Sequence, residues 1–153
     1  MDLILWRHAE AELLREGGSD LDRVLTAKGE RQAQRMAHWL NHRMAATTRV
    51  LVSPAERTRA TAHALGREFR TAPTLGPEAS PHALLEAARW PRSAEPVLIV
   101  GHQPTLGLLA ARLLCGEEQP WAIKKGAVWW LRTRQREGHQ EVVLVAVQGP
   151  DCL

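Results

Sequence analysis

The chain of 153 residues has the length of one ordinary domain, and we read 1–153 as such. Its 44% hydrophobic and 24% charged residues exclude a disordered or fibrous protein, and its longest apolar run, Val142 to Val147, is far short of the roughly 20 residues a membrane span needs. The formal net charge is +3 and 17 of the 20 basic residues are Arg, a weak lean toward phosphate or carboxylate partners.

The first segment, Asp2 to Trp6, is apolar but meets Arg7 too soon to be a signal peptide, so a cytoplasmic protein is expected. It reads as a buried strand, as do Arg49 to Val52 and Val97 to Val100. Behind the first strand a Gly/Asp-rich loop, Glu16 to Asp22, leads to Thr26, a good N-cap. Ala33, Met36, Ala37 and Leu40 then mark the buried face of a helix. After the second strand, Ser53-Pro54-Ala55-Glu56 predicts a capping box with proline at the first helical position, which sets Arg57 in the first turns of a second helix.

Residues 70–96, rich in Pro and Ala, predict one short helix, Pro81 to Arg89, in an otherwise loop-like stretch. Gly101-His102-Gln103-Pro104 follows the third strand. Leu106, Leu109, Ala110 and Leu113 continue at helical spacing up to Gly116. Ala127 to Arg132 and Glu141 to Val147 flank a turn at Gly138 and predict a hairpin. Strand and helix alternate, which predicts a three-layer α/β/α sandwich with a mainly parallel central sheet and right-handed crossovers.

Ligands of open α/β sheets bind beyond the carboxyl ends of the strands. Those ends carry Arg7 and His8, then Ser53 with Arg57, then His102. Two arginines and two histidines make a site for a tetrahedral dianion, phosphoryl above all: guanidinium forks bind phosphate oxygens in pairs, and helix N-termini add N–H donors. Neighbouring cations push a histidine toward its neutral form, and a neutral imidazole is a nucleophile. His8 could therefore attack phosphorus and form a phosphohistidine intermediate that water later hydrolyses. No metal or cofactor is required, because the arginines supply the positive charge.

At these positions the chain resembles the histidine phosphatase superfamily, the phosphoglycerate mutase-like fold, and within it the small SixA-type phosphohistidine phosphatases. The matching pieces are Leu5-Trp6-Arg7-His8-Ala9, Leu25-Thr26-Ala27-Lys28-Gly29, Ser53-Pro54-Ala55-Glu56-Arg57 with Thr61, and Gly101-His102-Gln103-Pro104. The resemblance implies a minimal cap over that fold, His8 as the phosphorylated nucleophile, Arg7 and Arg57 as the phosphate clamp and His102 as the second pocket histidine. Two departures stand out. Ala9 replaces the family's usual glycine, and only Glu78 lies where larger relatives keep a general-acid carboxylate.

The expected activity is hydrolysis of phosphohistidine on a partner protein, such as a phosphotransfer domain, by a monomer. A phosphomonoesterase acting on a small phosphate ester is the alternative within enzymes. A non-catalytic phosphate- or nucleic-acid-binding module is the alternative outside them, motivated by the Arg132, Arg134 and Arg136 row; exposed charge guarding an edge strand explains that row equally well. Other features read as structural. Cys115 and Cys152 are free thiols. His38 and His42, at i and i+4, could pair on a metal but lack a third ligand and read as a solvated helix face. His63 and His82 have no assigned role, and Trp129 and Trp130 should face opposite sides of the sheet.

Overall fold

In the computed structural model, which describes residues 1–153, the apolar runs all enter one sheet. Its strands are β1 (Asp2–Arg7), β2 (Arg49–Val52), β3 (Arg70–Thr71), β4 (Val97–Gly101), β5 (Val128–Arg136) and β6 (His139–Gln148). They lie in the order β3-β2-β4-β1-β5-β6. The first four are parallel, and the hairpin of β5 and β6 adds antiparallel to β1.

Side chains alternate across a strand, so each run feeds two cores. Leu3, Leu5, Leu51, Val97, Ile99 and Leu131 face helices α3 (Pro81–Ala88) and α4 (Thr105–Cys115) through Leu84, Leu106 and Leu109. Ile4, Trp6, Val50, Val52, Leu98 and Val100 face α1 (Ala27–Asn41) and α2 (Glu56–His63) through Met36, Leu40 and Ala62. This is the expected three-layer sandwich. No helix is long and apolar enough to cross a membrane.

Most local signals act as read. The Thr26 hydroxyl accepts from the Gly29 amide as the α1 cap, and Gly116 closes α4 at φ 86°. Trp130 is buried against the α1 side while Trp129 packs against the other core. Corrections arise where tertiary pairing overrides local sequence. The stretch 70–96 contributes the two-residue edge strand β3 as well as its helix, because Leu51 and Val52 offer a free edge to Arg70 and Thr71. β5 is flanked by β1 only as far as Arg132 and continues beyond it paired with β6 alone, so Arg132 lies inside the sheet while Arg134 and Arg136 stand on an unpaired edge, as exposed charge guarding an edge would. Arg132 pairs with Asp2 and Arg134 with Glu141.

Gly29 sets how closely α1 approaches the loop that leaves β1. A Cβ there would overlap the Glu10 carbonyl, which the Thr26 amide already binds at 3.0 Å. Gly29→Ala is expected to cost about 2–3 kcal/mol by overpacking, seen as a lower denaturant midpoint. Gly149→Ala, which meets nothing within 4 Å, should leave that midpoint unchanged.

Candidate active site

Strand register brings the site together. Arg7 pairs with Gly101 across β1 and β4, and Val52 with Val100 across β2 and β4. His8 and His102 are therefore the next residues beyond two hydrogen-bonded neighbours, and Ser53 follows on the third strand. Adjacent strands lie about 4.8 Å apart, and the two imidazole centroids are 5.3 Å apart. Both rings are buried, His8 to 7% exposure and His102 to 4%.

The hydrogen bonds fix which nitrogen of each ring is free. His8 Nδ1 lies 2.8 Å from the Ala9 carbonyl, and a carbonyl can only accept, so Nδ1 carries the proton and Nε2 keeps its lone pair. Burial, joined by the charges of Arg57, Arg7 and Arg23, lowers the His8 pKa to about 4 against the opposing pull of the Ala9 hydrogen bond. His102 is held at about 3 by burial first, then by Arg57, His8 and Arg7, with Asp20 opposing. Near neutral pH both rings are uncharged.

Ser53 decides the second tautomer. Its hydroxyl accepts from the Ala55 amide at 3.3 Å and lies 2.7 Å from His102 Nε2. Ser53 is fully buried and its hydroxyl has no acceptor other than Nε2, so its hydrogen goes there, which leaves the proton of a neutral His102 on Nδ1, an atom buried without a partner. The capping box read from sequence does not form: α2 begins at Glu56 with Ala55 as its N-cap and no side-chain cap, and Pro54 lies before the helix. Histidine-selective 15N NMR of the free protein should find both rings neutral down to pH 5, each protonated on Nδ1. Ser53→Ala should scramble the His102 tautomer and lower kcat/KM about 10- to 100-fold, as loss of a ring-orienting partner does elsewhere; an unchanged His102 spectrum would exclude this role.

The arginines close the site from two sides. Arg7 donates from Nη1 to the Ile123 carbonyl at 2.8 Å. Arg57, 4% exposed, donates from Nη1 to the Asp20 carbonyl at 2.8 Å and from Nη2 to Asp20 Oδ2 at 3.1 Å. The Nε atoms of both arginines are buried without a partner. Unpaired buried donors are costly, and three of the five such side-chain atoms in the protein belong to these site residues. An oxyanion among them would supply acceptors.

Thr61 joins the pieces: its hydroxyl donates to the Arg57 carbonyl at 2.7 Å and accepts from the Ala9 amide at 3.0 Å. Ala9 is fully buried and is not among the residues with positive φ, so this position has no need of glycine.

Sequence reading missed Asp20, which sits in a short 3-10 turn, Asp20–Asp22. An acidic residue in a loop carries no periodic signal, and only the fold brings it to Arg57. Burial alone would raise its carboxyl, but hydrogen bonds from Arg23 and Arg57, with their charges, hold it below the usual range.

Glu78 is exposed and has no ion-pair partner. The other histidines lie apart from the cluster. His38 and His42, exposed on the outside of α1 and at its end, have tilted rings with centroids 4.3 Å apart, and no group of three metal-ligating side chains exists. His63 packs on Phe69, and His82 lies beside Glu86. Cys115 and Cys152 are free and exposed.

Comparison with known proteins finds relatives in both sequence and fold. The sequence profile of the histidine phosphatase superfamily (branch 1) matches residues 3–79, a stretch that includes Arg7, His8 and Arg57. The chain is 33% identical over 129 residues to the phosphohistidine phosphatase SixA of Escherichia coli K12, a match covering 78% of each chain. Among solved structures, protein histidine phosphatase SixA complexed with tungstate superposes with a TM-score of 0.82 at 26% identity, over 99% of both chains. A SixA structure from Nakamurella multipartitia gives 0.77 at 29% identity, over 97% of this chain and 95% of that one.

Proposed function

The chain belongs to the histidine phosphatase superfamily, and from that premise we propose that 1–153 is one domain that hydrolyses phosphohistidine on a partner protein, with His8 as nucleophile. The observation that carries this reading is the pairing of a buried, neutral His8, whose Nε2 lone pair is free, with unpaired donors on His102, Arg7 and Arg57.

In the first step His8 Nε2 forms a bond to phosphorus as the bond to the substrate imidazole breaks. That imidazole, protonated on its other nitrogen, leaves neutral with the bonding pair. Arg7, Arg57 and the Nδ1 proton of His102 hold the equatorial oxygens. In the second step water attacks phosphorus, its proton passes to the phosphate, and Nε2 departs. Because the Ala9 carbonyl keeps a proton on Nδ1 throughout, His8 also leaves as a neutral imidazole.

Both leaving groups are thus good without a carboxylic acid, whereas an alkoxide would need one. Asp20, held ionised by its arginines, does not supply that proton near neutral pH. This favours a P–N substrate over a phosphate monoester. The decisive experiment compares kcat/KM for a phosphohistidine-bearing protein with that for a panel of sugar phosphates. A preference for the protein is expected; a preference for the sugars would replace this function with that of a small-molecule phosphomonoesterase.

A further inference from the structure

Beside the four-residue cluster lies an open cavity of about 720 Å³. Its walls are tied to the site at three points. Asp20 binds Arg57, Pro54 follows the serine that holds His102, and Ala79 accepts a hydrogen bond at 2.7 Å from Thr105, three residues beyond His102. Asp20 thus stands between the cavity and Arg57, one side chain away from the anion-binding cluster.

Its lining carries two ionisable side chains, Asp20 and Glu78, and both are acids; the rest is Leu, Pro, Thr, Gly and Ala. Asp20 is shared between Arg57 and Arg23. Glu78 has no cationic partner and is the uncompensated charge of the groove. Behind Asp20, Arg57 is 96% buried with its Nε unpaired. The binding region thus has two signs, cationic where phosphoryl would sit and anionic next to it.

We propose that this groove is the subsite for the polypeptide flanking the phosphorylated residue, and that Glu78 selects substrates with lysine or arginine near the phosphohistidine while repelling those with a second negative charge. The inference rests on the phosphohistidine reading above and adds the class of sequence that carries the phosphoryl group. A carboxylate in the groove attracts a flanking ammonium or guanidinium group. The same charge disfavours metabolites bearing a carboxylate or second phosphate, because like charges in a partly desolvated groove repel.

The test uses the full chain and two phosphohistidine peptides that differ only in whether their flanking residues are Lys or Glu. At low ionic strength the wild type is expected to favour the Lys-flanked peptide about tenfold or more in kcat/KM, a preference that 0.5 M salt should compress. Glu78→Gln should bring the ratio toward one, and Glu78→Lys should invert it. Because each ratio is read on a single preparation, a partly misfolded fraction cancels. A wild-type ratio near one, or a ratio that Glu78→Lys leaves in place, would overturn the selection by Glu78 while leaving the phosphohistidine reading intact. Failure to turn over either peptide, with p-nitrophenyl phosphate still hydrolysed, would overturn both.

Discussion

Replacing His8 with alanine is expected to lower turnover by about four orders of magnitude or more, the scale seen when the nucleophile of a concerted catalytic group is removed, and to abolish the phosphoenzyme. The physical reason is the environment of the ring. An exposed histidine is partly protonated near its ordinary pKa of about 6.5, and its Nε2 is then a donor. Burial and flanking arginines hold His8 at about 4, and the Ala9 carbonyl directs its one proton to Nδ1, so the attacking lone pair is present across the neutral range. Alanine keeps the backbone, including the His8 amide bond to the Gly101 carbonyl at 3.1 Å, and removes only the ring.

Rapid quench with a 32P-labelled phosphohistidine protein should trap acid-labile label on the wild type and none on His8→Ala. Equal labelling of both proteins would place the nucleophile elsewhere. Absence of label from the wild type, together with nucleic-acid binding that weakens steeply with salt, would favour the non-catalytic alternative.

Arg57→Ala is expected to lower kcat/KM by about 10³-fold, within the range for a guanidinium that stabilises a transferring phosphoryl group. Arg57→Lys should recover little of it. A lysine ammonium carries the charge but is a single point, and it cannot hold the Asp20 carbonyl, the Asp20 carboxylate and a phosphate oxygen together as a planar fork can. The variants should still fold, because the Asp20 side chain freed by the substitution is already 46% exposed and water can solvate it. Steady-state kinetics alongside thermal melts separate the two effects. Activity of Arg57→Ala within tenfold of wild type, at an unchanged Tm, would mean that Arg7 alone carries the phosphoryl charge.

Asp20 and Ser53 illustrate where local reading stops. Ser53 sits in a sequence that satisfies the rule for a capping box, yet its hydroxyl turns to His102, 49 residues away, and α2 starts without it. A buried imidazole nitrogen lacking a partner would cost more than the roughly 1 kcal/mol a cap contributes, so the tertiary hydrogen bond wins. Asp20 has no local pattern to betray it, and its role depends on a loop packing over a helix that begins 36 residues later.

By contrast the sheet, the helix faces and the four residues Arg7, His8, Arg57 and His102 were legible in one dimension. Alternation and 3.6-residue spacing are consequences of local geometry. A strand that ends in a polar residue before a helix start also marks its own active end. What remained for the folded chain to decide was register and tautomer. The pairing of Arg7 with Gly101 sets His8 beside His102, and the Ala9 carbonyl and the Ser53 hydroxyl choose which nitrogen of each ring is free. Those choices depend on hydrogen bonds between segments distant in sequence or on the exact path of the backbone, and neither leaves a periodic trace along the chain.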